Sequence, residues 1–276
     1  MRQTGVTIHP SAVVAPGAEL DSGVEIGPYA VLGPQVRIGK NTWIGPHAVI
    51  EGRTMIGCEN RIFQFASVGA IPQDKKYRDE ESVLIIGDHN VIREFATLNP
   101  GTAGGGMVTR VGNYNLFMVY SHVAHDCLIG NHVVLANSAT LGGHVTLEDY
   151  VGVGGLVGIH QFTRIGESAY LGAGSMVSLD VPPYCTAVGD RAHLHGLNLI
   201  GLKRRGWSAE QLVAIKKAYR TLFSEGLPLK EALVAIRSAY PSSPEVAHMT
   251  DFIAASTRGI CRPRGNGDPE GEEELV

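Results

Sequence analysis

Aliphatic residues recur every sixth position along this chain, through Ile8, Val14, Leu20, Ile26, Leu32, Ile38, Ile44, Ile50, Ile56, Ile62 and Val68. The count resumes at Ile86, Ile92 and Leu98. It runs again from Val111 through Phe117, Val123, Ile129, Leu135, Leu141, Leu147, Val153, Ile159, Ile165 and Leu171 to Val177. Four residues beyond these positions stand mostly small residues such as Ala30, Ala48, Ala66, Ala96, Cys127 and Ala139. A helix needs a period of 3.6 and an open strand a period of two, so neither explains six. A coil with three short flat faces does, and hexapeptide periodicity is the mark of a parallel β-helix. Eighteen residues make one coil, and Gly, Asn and Pro between the strands suit tight corners. At the strand spacing of about 4.8 Å the hexads predict a prism roughly 40 Å long. Periodicity leaves the handedness open.

Two interruptions punctuate the repeat. Residues 74–85 insert twelve, two whole hexads, and residues 104–110 insert seven. Both read as loops thrown out from a corner, where binding or subunit contact is common. The repeat stops at Val181-Pro182-Pro183 and helical periodicity takes over. Ser208-Ala-Glu-Gln211 reads as a capping box opening a helix to about Ser224. Pro228 suits the first turn of a second helix, and a third is predicted from about Pro244 to Thr257. The predicted organisation is a β-helix over 1–189, a helical domain over 190–261 capping its end, and a disordered acidic tail over 262–276.

The net charge of −4 excludes a general nucleic-acid binder. Basic clusters at Lys203-Arg204-Arg205 and Lys216-Lys217-Arg220 read either as solvated helix faces or as seats for phosphate or an acidic partner. Asp268, Glu270 and Glu272–Glu274 make the tail acidic. Four scattered cysteines, with no metal or disulfide spacing, suit a reducing cytosol, and no apolar run reaches membrane-spanning length. The repeat is entered by Ile8, which leaves no room for a signal peptide, and the expected location is cytoplasmic.

Among eleven histidines, His47, His89, His132 and His144 occupy the fourth position of a hexad, a corner site where a solvated turn residue is the commoner outcome. His125 differs. One coil beyond it lies Gly143 and two coils beyond lies Gln161, so the three stack about 5 and 10 Å apart. His122, His144 and His160 fall within three residues of that ladder, and Asp126 stands ready to orient an imidazole. Two chemistries compete. Hexapeptide carbonic anhydrases hold zinc with a His-x4-His pair and an upstream His, whereas the pair here is His122-x2-His125. The alternative is a general base activating a hydroxyl or amine against an acyl thioester, with a backbone N–H for the oxyanion and no cofactor.

Several motifs carry a resemblance over nearly the whole chain. They include Ile92-Arg-Glu94, Gly104-Gly-Gly106, His122-Val-Ala-His-Asp-Cys127, His160-Gln-Phe162, Asp180-Val-Pro-Pro-Tyr184, Gly201-Leu-Lys-Arg-Arg-Gly206 and Ser256-Thr-Arg-Gly259. The chain resembles the UDP-N-acetylglucosamine acyltransferases of lipid A synthesis. The resemblance implies a left-handed β-helix with a C-terminal helical domain, assembled as a homotrimer with sites between subunits. It implies transfer of a (3R)-hydroxyacyl group from acyl carrier protein to the glucosamine 3-OH of UDP-N-acetylglucosamine. By the same resemblance His125 is the general base, Asp126 its partner and Gly143 the oxyanion donor. Asp74, Lys76, His122, His144, His160 and Gln161 line the sugar and acyl-donor site, and Asn198, Arg204 and Arg205 hold the nucleotide. Lys216, Lys217 and Arg220 remain candidates for docking the carrier protein. Ala173 stands at the acyl-chain ruler, where its methyl implies a chain slightly shorter than the family's longest. Asn99-Pro100 replaces His-Arg of the family, and Ile200 replaces an acidic residue. Some relatives acylate a 3-amino sugar. The N-acyltransferases that add the second chain carry an extra N-terminal domain for which the repeat leaves no room. A catalytically silent solenoid binding carrier protein or nucleotide-sugar is the alternative of a different class.

Overall fold

The structure is a computed structural model that describes residues 5–264. Three parallel sheets form the faces of a prism, with 11, 9 and 8 strands among the described residues. Most strands are two residues long, and each pairs with the strand one coil away. Thr7 pairs Glu25, Val31 pairs Val49, and His122 pairs Thr140, eighteen residues apart in every case. The first residue of each hexad points inward. Ile62, Ile92, Phe117 and Leu135 follow one another up one face, each fully buried. Each such side chain stabilises the fold by about 1.5–3 kcal/mol through loss of apolar surface to water.

The corners differ from the expectation of Gly and Asn. At the fourth position of most hexads the backbone is left-handed, and many of these residues are aromatic or histidine: His47 (φ 56°), Phe65 (φ 62°), Tyr114 (φ 58°), His132 (φ 56°). L residues ordinarily avoid this region. The compensation is visible one coil away. Tyr29, His47, Phe65, Phe95 and Tyr120 stack into one column with ring centroids 5.0–5.2 Å apart. His89, Tyr114, His132 and Tyr150 form a second column at 4.6–5.1 Å. Repeated stacking at the coil pitch, worth about 0.5–1.5 kcal/mol per pair, offsets the strain.

The two insertions keep their predicted lengths but move along the chain. Arg61 pairs Val91, thirty residues on, and Val91 pairs Leu116, twenty-five on. Both returning strands start earlier than the hexad rule allows, at Val83–Ile86 and Val108–Val111, because they lengthen to four residues: Val83–Ile86 pairs with Arg53–Ile56 on one side and with Val108–Val111 on the other. The excess residues therefore precede Val83 and Val108, and the ranges 74–85 and 104–110 both ran into strand. The second loop carries a 3-10 turn at Ala103–Gly105.

Residues 190–197, expected in the helical domain, contain instead a strand at His193–Leu197. It runs antiparallel to Cys185–Val188 and closes the first sheet. Four helices follow: α1 (Leu199–Arg204), α2 (Ala209–Phe223), α3 (Leu229–Ala239) and α4 (Pro244–Ala254). The Ser208–Gln211 capping box is formed, and Pro228 stands at the N-cap position of α3, one residue before its first turn, with no side-chain cap. Polar ties join the helices to the β-helix. His248 Nε2 lies 2.7 Å from Glu148 Oε2, and the Arg205 guanidinium lies over Tyr150 while bonding Glu167 and Ser168. Residues 262–264 are ordered against the β-helix, where Leu194 donates to the Arg262 carbonyl at 2.9 Å. The rest of the expected acidic tail, 265–276, lies outside the described residues.

Candidate active site

His125 and Asp126 occupy the corner that follows strand His122–Val123, with Asp126 in the left-handed region (φ 59°). That turn swings the carboxylate beneath the preceding imidazole. His125 Nδ1 lies 2.8 Å from Asp126 Oδ2. The Asp126 side chain is wholly buried, whereas His125 keeps 17% of its side-chain surface exposed. Two further donors complete the carboxylate: the Thr102 N–H to Oδ1 at 2.8 Å and the Thr102 hydroxyl to Oδ2 at 2.6 Å. With Thr102 donating to both oxygens, the carboxylate accepts from the imidazole Nδ1–H, which leaves Nε2 as the ring's acceptor nitrogen.

Gly143 lies directly over this imidazole. A Cβ there would stand 2.7 Å from His125 Nε2, so only glycine admits the ring. The Gly143 N–H donates to no acceptor among the described residues, although its neighbours Gly142 and His144 are both bonded to adjacent coils. The ladder continues through Phe162, whose N–H donates to the Gly143 carbonyl at 3.0 Å, with Gln161 exposed beside it. Gly142, Gly143, His160, Gln161, Met176 and Arg191 line a groove of about 560 Å³. A larger hollow of about 670 Å³ lies near Trp43 and Arg61, far along the prism, and is lined by no histidine.

His144 joins the centre rather than the solvent. Its ring meets His125 edge-on at 5.1 Å, stacks on Phe162 at 4.3 Å, and places Nε2 3.8 Å from Asp126 Oδ2. Burial pushes its pKa below the usual value, against the pull of Asp126 and Asp74. The pKa of His122, three residues before His125, is lowered by burial first and by His125 second, and its Nδ1 lies 2.6 Å from the Thr97 hydroxyl. His125, Asp126 and His144 present ligand atoms within 4.8 Å of one another. Both carboxylate oxygens are already engaged, Oδ1 by the Thr102 N–H and Oδ2 by the Thr102 hydroxyl and His125.

The other expected residues divide. Asp74 is half-buried at the first insertion, where Oδ1 accepts the Lys76 N–H at 2.9 Å, and the Lys76 side chain is exposed. His160 is exposed on the groove rim, 2.8 Å from the Arg258 guanidinium. Asn198 and Arg205 already have structural partners: Asn198 caps α1 and donates to the Ser168 carbonyl at 2.9 Å, and Arg205 ties to Glu167. Arg204 is exposed on α1. Lys216, Lys217 and Arg220 lie on the solvated face of α2. Ala173 is exposed at a different corner, beside Gly154, in register with another face than His125. Asn99 is buried and holds the Ala70 carbonyl at 3.0 Å, fastening the base of the first insertion, while Ile200 is exposed on α1. Thr102 was not anticipated.

No described helix is long and apolar enough to cross a membrane. Residues 180–261 match the second domain of the UDP N-acetylglucosamine O-acyltransferase family. Over 260 residues the chain is 57% identical to acyl-[acyl-carrier-protein]–UDP-N-acetylglucosamine O-acyltransferase of Paracidovorax citrulli, covering 93% of this chain and 99% of that one. Its relative in Janthinobacterium sp. (strain Marseille) is 54% identical, covering 92% and 99%. The solved UDP-N-acetylglucosamine acyltransferase of Francisella novicida superposes with a TM-score of 0.91 at 40% identity, covering 96% and 95%. LpxA of Acinetobacter baumannii superposes with 0.90 at 44% identity, covering 92% and 99%. The prism is thus the left-handed β-helix of these enzymes. At such identity over nearly its full length, the chain belongs to the UDP-N-acetylglucosamine O-acyltransferase family.

Proposed function

We propose that the chain transfers a hydroxyacyl group from acyl carrier protein to the 3-OH of UDP-N-acetylglucosamine, with His125 as general base. His125 Nε2 takes the hydroxyl proton as the sugar oxygen attacks the thioester carbonyl. The Gly143 N–H receives the developing oxyanion. Collapse breaks the carbon–sulfur bond, and the proton held on His125 passes to the departing thiolate. Base catalysis of this kind contributes about 10²–10⁴ in rate, and one oxyanion donor about 10²–10³.

The single observation that carries this reading is the pairing of a buried, donor-saturated Asp126 with His125, beneath an unengaged N–H at Gly143. The groove over Gly143, with Met176 and Val177 in its wall, suits an acyl chain. Asp74, Lys76 and His122 suit the sugar and its donor, and Arg204 suits the nucleotide phosphates. The homotrimer with sites between subunits belongs to the same proposal. Exposed Leu156 and Phe162 are apolar surface that a neighbouring copy would cover.

The test is direct. His125→Ala should lose at least a hundredfold in turnover of hydroxyacyl carrier protein with UDP-N-acetylglucosamine, at unchanged circular dichroism and sedimentation coefficient. Activity within a few-fold of wild type would remove His125 from the base role. A monomeric sedimentation coefficient for the active enzyme would remove the trimer.

A further inference from the structure

Asp126 stands between two imidazoles. Its Oδ2 is 2.8 Å from His125 and 3.8 Å from His144, and a small rotation of the carboxylate would transfer its hydrogen bond from one ring to the other. Something must choose. The groups that hold the carboxylate come from the second insertion. Thr102 is 4% exposed and grips both oxygens, one through its N–H and one through its hydroxyl. The loop is itself tightly wound, with the Gly105 and Met107 N–H groups both donating to the Thr102 carbonyl at 3.1 and 2.9 Å. Gly105 is pressed against the carboxylate so closely that a methyl there would overlap it. On the other side of the loop, the Thr109 hydroxyl accepts the Asp126 N–H at 2.7 Å.

We infer that Thr102 is a positioning residue that commits Asp126 to His125 and so fixes the tautomer of the base. The inference rests on the general-base reading above. The hydroxyl and the His125 Nδ1–H arrive at the same oxygen from different sides, so together they set the plane of the carboxylate. Without the hydroxyl, Oδ2 is free to turn toward His144. His125 then loses the partner that keeps its proton on Nδ1, and a fraction of the enzyme carries that proton on Nε2, where no base remains. The titratable groups around the pair are His122, His144 and Asp74, all retained in the variant.

Thr102→Val keeps the shape and the N–H and removes the hydroxyl. The expected result is a fall in kcat of about 10- to 100-fold, the worth of one hydrogen bond to a charged group, with KM for the nucleotide-sugar within about twofold. The 15N shifts of His125 should lose their single Nδ1–H signature. Thr102→Ser should restore both kcat and the Nδ1–H signature. Wild-type kcat with an unaltered 15N signature in Thr102→Val, or a Ser variant as poor as the Val variant, would overturn the inference. If the Val variant does not fold, Thr102→Ala is judged by the same outcomes. His125→Ala measured alongside separates the two claims: an active His125→Ala removes the base itself, whereas an inactive one beside an undisturbed Thr102→Val removes only the role of Thr102.

Discussion

Asp126→Asn keeps the outline of the side chain and replaces one acceptor oxygen by a donor. In the native site all three approaching groups are donors: the Thr102 N–H, the Thr102 hydroxyl and His125 Nδ1–H. The amide has two ways to fit. If its oxygen takes the Oδ1 place and serves the Thr102 N–H, its NH2 faces His125, which must then accept at Nδ1 and carry its proton on Nε2. If it flips, the NH2 meets the Thr102 N–H at 2.8 Å, donor against donor, inside a wholly buried site. The first arrangement costs less and removes the base. Turnover should therefore fall by about 10²–10⁴, some 3–5 kcal/mol in the barrier, with the substrate KM values little changed. The assay is product formation from hydroxyacyl carrier protein and UDP-N-acetylglucosamine followed by mass spectrometry across pH 5.5–9. Circular dichroism controls for folding. Because the defect is a proton in the wrong place, no pH in that range should rescue the rate. An Asn variant within threefold of wild type, or one restored at high pH, would refute the claim that Asp126 acts by holding the tautomer.

Other consequences are equally open to measurement. Arg204→Ala should raise KM for the nucleotide-sugar about tenfold without moving the melting temperature, whereas Arg205→Ala should also lower that temperature, because Arg205 packs over Tyr150 and ties to Glu167. Equal thermal behaviour of the two variants would contradict this division. Glu148 holds the His248 pKa above its usual value. A raised folded-state pKa means stability that is complete below the unfolded pKa of about 6.5 and is lost as pH rises through the folded value. The pair is partly solvated, so the loss is at most about 1 kcal/mol. It should show as a lower denaturation midpoint at pH 8.5 than at pH 6 that His248→Gln abolishes. Ala173→Met should shorten the preferred acyl chain and Ala173→Gly lengthen it, read by mass spectrometry from a mixed pool of donors; an unchanged product profile would make Ala173 an ordinary corner residue.

Much of this architecture is legible in the chain because a β-helix is a counting device. Eighteen-residue steps placed Gly143 over His125, and the insertion lengths of twelve and seven reappear as register steps of thirty and twenty-five. The same step applied to the fourth positions aligns His132 with Tyr114 and Tyr150, so the aromatic columns were present in the sequence. Thr102 was not, for a physical reason. It belongs to a loop that leaves the register, and the contact with Asp126 spans 24 residues, a separation the coil period does not mark. Residues 193–197 were misplaced because the strand there, His-Leu-His-Gly-Leu, is antiparallel and free of the hexad rule. Asn198 and Arg205 show the opposite limit: motif likeness says which residues belong together and is silent on which of them the fold already employs.

The stacked corners bear on the site in one further way. His144 has the same left-handed backbone (φ 62°) as the column residues, and it stacks on Phe162 as they stack on one another. Its ring is therefore already immobilised before any substrate arrives, by the same stacking that orders the two aromatic columns. An imidazole on an ordinary loop would surrender that freedom during each catalytic cycle; here it is surrendered once, on folding. The scaffold thus delivers a prealigned second imidazole beside His125, and trimming Phe162 should loosen the aim of His144 without touching His125 or Asp126.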